Sequence, residues 1–121
     1  MPVRALRGAT TVDADTESDV RARVGVLVAA LFARNDLVTD DIISAVVTAT
    51  VDISSFHPAT AARAAGLVDV PILGAQEIDT VGTLPRCIRL LLHIETDRTK
   101  AEIEHVFLEG AVVLRPDLAR P

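Results

Sequence analysis

Two apolar periods alternate along this chain. From Pro2 to Val12 the period is two: Arg4, Leu6, Gly8, Thr10 and Val12 alternate with Val3, Ala5, Arg7 and Ala9, which predicts a strand. Arg4 and Arg7 then point to opposite faces, so at most one of them can serve a given pocket. From Asp13 to Asp19 the residues turn acidic, with Thr16 placed as an N-cap and Asp19 three positions on, the signature of a helix start. Val20, Val24, Leu27, Val28, Leu31 and Phe32 follow at helical spacing and form one apolar stripe, which ends at Arg34-Asn35-Asp36.

The period then returns to two. Ile42 to Val51 predicts a second strand with Ile43, Ala45, Val47, Ala49 and Val51 on its apolar face and Ser44, Thr48 and Thr50 opposite. Ala59 to Ala65 predicts a short helix opened by Phe56-His57-Pro58 and stopped by Gly66. Two turns of Ala-rich helix are not stable alone, so this piece must dock on something. Val68 to Leu73 and Cys87 to Thr96 predict a third and a fourth strand. A short helix is expected at Lys100 to Glu104, and extended or irregular chain at Val106 to Leu108 and Ala111 to Leu114. The sum is an α+β fold: a mixed sheet, one long amphipathic helix and short helices, with one face of the sheet left uncovered.

In the fourth strand, Ile88, Leu90, Leu92 and Ile94 form a core face, while Cys87, Arg89, Leu91, His93 and Glu95 share the other. Arg89 is costly to bury there unless an anion partners it. Glu77, just ahead of the turn Gly82 to Pro85, is the candidate partner. The plain alternative for the two is a structural ion pair.

With 121 residues the chain suits one domain, expected over residues 1–115, with a mobile tail at 116–121. A net charge of -5 argues against a nucleic-acid or anionic-membrane partner. Half of the residues are apolar and mean hydropathy is +0.38, yet no uncharged run approaches the roughly 20 residues of a membrane span, so the surplus points to a subunit interface. The single cysteine cannot form an internal disulfide and the start lacks a signal-peptide pattern, so a cytoplasmic location is expected.

Neither metal-ligand spacing, nor a nucleophilic triad, nor a phosphate-cradling glycine motif is present. His57, His93 and His105 are scattered and read as structural or surface residues, and Cys87 as a small core residue. Arginines with one glutamate suit chemistry that needs positioning and charge stabilisation rather than proton transfer.

Gln76-Glu77-Ile78-Asp79 followed by Cys87-Ile88-Arg89 carries a resemblance, as does Arg4-x-x-Arg7-Gly8-Ala9-Thr10-Thr11. So do His105-Val106-Phe107-Leu108-Glu109 and Ala111 through Leu118. In these stretches, and in their spacing over nearly the whole chain, the sequence resembles the monofunctional chorismate mutases of the AroH type. The resemblance implies a homotrimer built as a pseudo α/β-barrel, with active sites in clefts between subunits. The reaction implied is rearrangement of chorismate to prephenate without cofactor or metal, in phenylalanine and tyrosine biosynthesis. It implies Arg89 as the cation at the ether oxygen and Arg7 as a carboxylate ligand that also approaches that oxygen. Glu77 would accept from the ring hydroxyl, and the backbone near Gly74 would touch the same hydroxyl. Arg63 and Arg115 would supply positive field at the mouth beside Leu114, and His57, Ala59, Thr60 and Leu73 would line the facing wall.

Four positions depart from the family pattern: Gly74 where Cys is common, Phe107 where Tyr is common, Thr60 where Lys is common, and His57 where Phe is usual unless Phe56 takes that place. Losing a neutral hydroxyl donor costs about 0.5–1.5 kcal/mol, whereas the transition-state donor is worth about 2.7–4 kcal/mol. Mutase activity with weaker binding, or a preference shifted to a relative of chorismate, is therefore expected. Two other readings fit the composition: an enamine/imine deaminase of the YjgF-like trimers, and a non-catalytic trimer that binds a shikimate-pathway acid.

Overall fold

The computed structural model describes residues 2–114, so Arg115 and the tail expected at 116–121 lie outside the described residues. The elements are β1 (Val3–Thr11), α1 (Glu17–Asn35), β2 (Ile42–Ala49), α2 (Pro58–Ala64), β3 (Ile72–Gln76), β4 (Cys87–Glu95) and β5 (Val106–Phe107), with 3-10 turns at Thr39–Asp41 and Glu109–Val113. The strands form one sheet in the order β3-β2-β4-β1-β5. β4 runs antiparallel to both β1 and β2, while the edge strands β3 and β5 run parallel to their neighbours.

Helix α1 begins where local chemistry places it. Thr16 is extended and its hydroxyl accepts the Asp19 amide, while Asp36 closes the helix in the left-handed region. Val20, Val24, Leu27, Val28 and Leu31 are buried against one face of the sheet, each contributing about 1.5–3 kcal/mol of transfer free energy. The approach is close: a Cβ added to Gly8 would lie 2.8 Å from Leu31 Cδ1. The matching sheet surface is Leu6 with Ile88, Leu90, Leu92 and Ile94, none more than 1% exposed. Asn35, buried at the helix end, donates to the carbonyls of Leu31 and Glu104 and accepts the Glu104 amide, tying α1 to the segment before β5.

Three expectations are corrected and a fourth is made specific. A bulge between Ile42 and Ser44 turns Ile42 into the core and leaves Ile43 41% exposed, and Val51 lies beyond the strand and outside the core. The third strand is Ile72–Gln76, not Val68 to Leu73. Asp69 at φ 58 makes a turn that buries Leu67 and Val70, and pairing with β2 starts only after Pro71, whose carbonyl accepts the Ala45 amide. Lys100 to Glu104 is a single turn, closed by Glu102 on the Thr99 amide, rather than a helix. Ala111 to Leu114, expected to be extended or irregular, belongs to a 3-10 turn that Glu109 starts at φ 53.

α2 spans Pro58–Ala64, and Gly66 follows at φ 138. It buries Ala61 and Ala62 and packs on α1, which answers its low intrinsic stability. Both helices lie on the same side of the sheet. Arg4, on that side at the end of β1, donates from Nε to the Arg98 carbonyl at 3.2 Å. Among the described residues no helix covers the other face.

Candidate active site

The uncovered face carries the polar residues. Register places Arg89 of β4 between Ala9 of β1 and Thr48 of β2, and Arg7 one same-face step away, opposite Leu91. Glu77 follows β3 and continues its ladder, its amide donating to the Ala49 carbonyl at 2.9 Å. This sets the Glu77 carboxylate beside Thr48, whose hydroxyl donates to Oε2 at 2.6 Å. Arg89 Nε lies 3.2 Å from the same oxygen, with the Arg89 side chain 31% and the Glu77 side chain 17% exposed. The buried Nε–H is nevertheless without an aligned hydrogen-bond acceptor.

The pair stands between two clefts. One, of about 530 Å³, is walled by Arg7, Thr48, Glu77 and Arg89 with apolar Val46, Leu90 and Leu91. The other, of about 470 Å³, runs from Glu77 and Arg89 along the Thr80–Leu84 turn to Val113 and Leu114. Ile78, Glu77 and Arg89 belong to both. Phe107 packs behind them, buried with Ala9 and Ala111 against Leu84 and Leu114. Burial pushes the neighbouring Cys87 thiol up, while a hydrogen bond and the charge from Arg89 act the other way.

The structure thus brings Arg7, Glu77 and Arg89 together, with Leu114 at the rim and Phe107 behind. It does not bring Gly74, His57, Ala59, Thr60 or Arg63 to them within one chain, and Arg115 lies outside the described residues. Gly74 turns toward α2, where an added Cβ would meet Ala59 at 3.7 Å. Gly74, His57 and Ala59 line a separate cleft of about 300 Å³. Thr60 is half-buried on α2 and Arg63 exposed, and neither lines that cleft. Leu73, 66% exposed on edge strand β3, pairs with Val46 and so shares the face of Thr48. Phe56 does not take the place of His57: it packs on the core with the Arg21 guanidinium 4.4 Å from its ring centre. His105 Nδ1 accepts the Arg7 amide and His93 Nδ1 meets the Ser44 hydroxyl, both structural contacts.

Sequence reasoning missed Thr48, Gln76 and Ile78 as lining residues. Thr48 was legible as a polar position on the uncovered face, but its partner depends on β3 lying beside β2. Among the described residues no group of three or more His, Cys, Asp or Glu is placed to hold a metal ion.

Fold and cleft together define a small α+β protein with an arginine-walled binding site on an uncovered sheet face. The chain belongs to the chorismate mutase type I family, whose sequence profile matches residues 3–118. It is 38% identical over 120 residues to the chorismate mutase AroH of Bacillus subtilis, covering 98% of this chain and 94% of that protein. It is 40% identical over 117 residues to the chorismate mutase AroH of Thermus thermophilus, covering 96% of each. A solved chorismate mutase from Clostridium thermocellum superposes with a TM-score of 0.87 at 41% identity, covering 91% of this chain and 98% of that one.

Proposed function

We propose that this chain catalyses the rearrangement of chorismate to prephenate, an isomerisation that feeds phenylalanine and tyrosine biosynthesis. The reaction is unimolecular and forms no covalent intermediate with the enzyme. Chorismate carries two carboxylates and must be held in a compact chair. Its C–O bond breaks ahead of full C–C bond formation, so negative charge rises on the ether oxygen. A guanidinium aimed at that oxygen stabilises the transition state more than the ground state, and holding the chair removes a conformational part of the barrier.

The observation that carries this reading is the Arg89 Nε–H, buried beside Glu77 without an aligned acceptor. In the proposal Arg89 donates to the ether oxygen, Arg7 holds a carboxylate, and Glu77 Oε1 accepts from the ring hydroxyl while Oε2 orients Arg89. Two arginines against one glutamate leave the larger cleft cationic, which suits a dianionic substrate.

The His57–Ala59–Gly74 cleft is the second half of the site, supplied by an adjacent subunit of a homotrimer. Arg63 and Arg115 add positive field and Thr60 and Leu73 add wall. The uncovered sheet face and the exposed Leu73 support such an assembly. Residues 1–115 are taken as one domain, acting in the cytoplasm; among the described residues no helix is long and apolar enough to cross a membrane.

The test is to follow the diene absorbance of chorismate with purified protein. A fall faster than the spontaneous rate supports the proposal, and a trace equal to the blank rejects it. With no Trp or Tyr, the protein contributes little near 280 nm. A non-catalytic trimer would instead be stabilised by prephenate without turnover. A YjgF-like deaminase would release ammonia from an enamine and ignore chorismate.

A further inference from the structure

β4 begins on a conformation that its own residues do not favour. Arg86, immediately before the strand, sits at φ 46, a region that a residue with a side chain holds only when its surroundings impose it. The surroundings here are specific. Asp52 accepts the Arg86 amide with both carboxylate oxygens, at 3.1 and 2.9 Å. The Arg86 carbonyl accepts the Val12 amide at 2.9 Å, and Arg86 Nε donates to the Val12 carbonyl at 3.1 Å.

One residue further, the Thr50 hydroxyl donates to Asp52 Oδ1 at 2.5 Å and accepts the Cys87 amide at 3.0 Å. The Thr50 amide donates to the Cys87 carbonyl at 3.0 Å. Thr50 and Cys87 are both buried. A hydroxyl that gives its proton to a carboxylate is the better acceptor for the amide behind it, so the contacts reinforce one another. Cys87 is the same-face neighbour of Arg89, two residues on. Thr50 and Ile53 also line the cleft that holds His57, Ala59 and Gly74.

We propose that Asp52, acting through Thr50 and the backbone of Arg86 and Cys87, is the positioning residue that sets the start of β4 and hence the aim of Arg89. Through Thr50 the same carboxylate also links Arg89 to the His57 cleft of its own chain, the half-site that this chain would lend to a neighbouring subunit. Asp52 touches no substrate. Its effect on turnover rests on the mutase reading above, because only a reaction that depends on the Arg89 guanidinium feels a small misplacement of it.

The test is a double-mutant cycle on the full chain. Asp52→Asn keeps the shape but supplies one oxygen where there were two, and Thr50→Val removes the relay. Each is expected to lower kcat about ten- to a hundredfold with KM changed less than about threefold, and Thr50→Ser is expected to restore it. In an Arg89→Ala background Asp52→Asn should cost less than about twofold more, because the group it aims is already gone. Equal losses in both backgrounds, or an effect on KM alone, would overturn the proposal.

Cys87 gives a readout independent of turnover. Labelling by a thiol reagent should be faster in Asp52→Asn than in wild type under native conditions, and an unchanged rate would overturn the clamp. An inactive wild-type protein whose Asp52→Asn variant still labels faster would sink the mutase reading and leave the clamp standing.

Discussion

Arg89 Nε approaches Glu77 Oε2 to 3.2 Å, and Thr48 Oγ1 approaches the same oxygen more closely, to 2.6 Å. The nearer donor has the favourable geometry, while the guanidinium N–H is left unaligned. An ion pair built only for stability would exploit the forked geometry of arginine and carboxylate. A pair held close but unaligned adds little to stability and keeps a donor in reserve for another acceptor. The Arg89 side chain is 31% exposed, and it is its Nε–H that the protein leaves without an aligned acceptor.

Replacing Arg89 tests that reserve. Arg89→Ala is expected to lower kcat about 10²- to 10³-fold, by analogy with loss of an oxyanion donor. Arg89→Lys should recover only part, since the planar fork is lost. Steady-state rates from the chorismate absorbance are the measurement, and a normal rate in Arg89→Ala would remove the residue from the mechanism.

If the two clefts meet across subunits, two damaged proteins should repair each other. Arg89→Ala and Arg63→Ala strike opposite halves, and each is expected to slow turnover when assayed alone. Mixed and refolded in equal amounts, they should recover roughly a quarter of wild-type activity, the share of interfaces with both halves intact. No gain on mixing would place both halves in one chain or exclude Arg63.

Acid stability should depend on Asp15. Hydrogen bonds from the Ser55 hydroxyl and amide and the Ser54 amide lower its carboxyl to about 2 from an ordinary value near 3.8. A folded-state value below the unfolded one stabilises the fold above pH 3.8 and ceases to do so as pH falls toward 2. The Tm gap between wild type and Asp15→Asn should therefore be widest above pH 4 and shrink toward pH 2. A gap that does not vary with pH would contradict this.

Gly8→Ala is expected to destabilise by about 1–3 kcal/mol, because the new methyl must displace the Leu31 side chain in a filled core. The Leu31 terminus lies 2.8 Å from the required position. Denaturant unfolding is the check. Gly25→Ala, with nothing within 4 Å, should instead be neutral or stabilising.

How much of this was written in the chain order follows from the range of each interaction. The Thr16 cap, the stripe from Val20 to Leu31 and the buried set Ile88, Leu90, Leu92 and Ile94 were legible, because capping and periodicity act over a few residues. Opposite faces for Arg4 and Arg7 followed from the same rule. The bulge at Ile42–Ser44, the start of β3 at Ile72 and the turn from Glu109 to Val113 were not legible, since each depends on what the partner segment demands.

The same limit applied at the site. The sequence by itself determined that one face of β4 would carry an arginine among apolar neighbours, and the likeness of whole stretches to a known family named its companions. Only the tertiary structure decided that Thr48 stands between Glu77 and Arg89, and that His57, Ala59 and Gly74 open on the other side of the sheet. It alone decided that Asp52 grips the chain at Arg86. Alternation reports which side chains share a face; it holds no information about which strand lies alongside, and these contacts are all made between strands or between a strand and a distant turn.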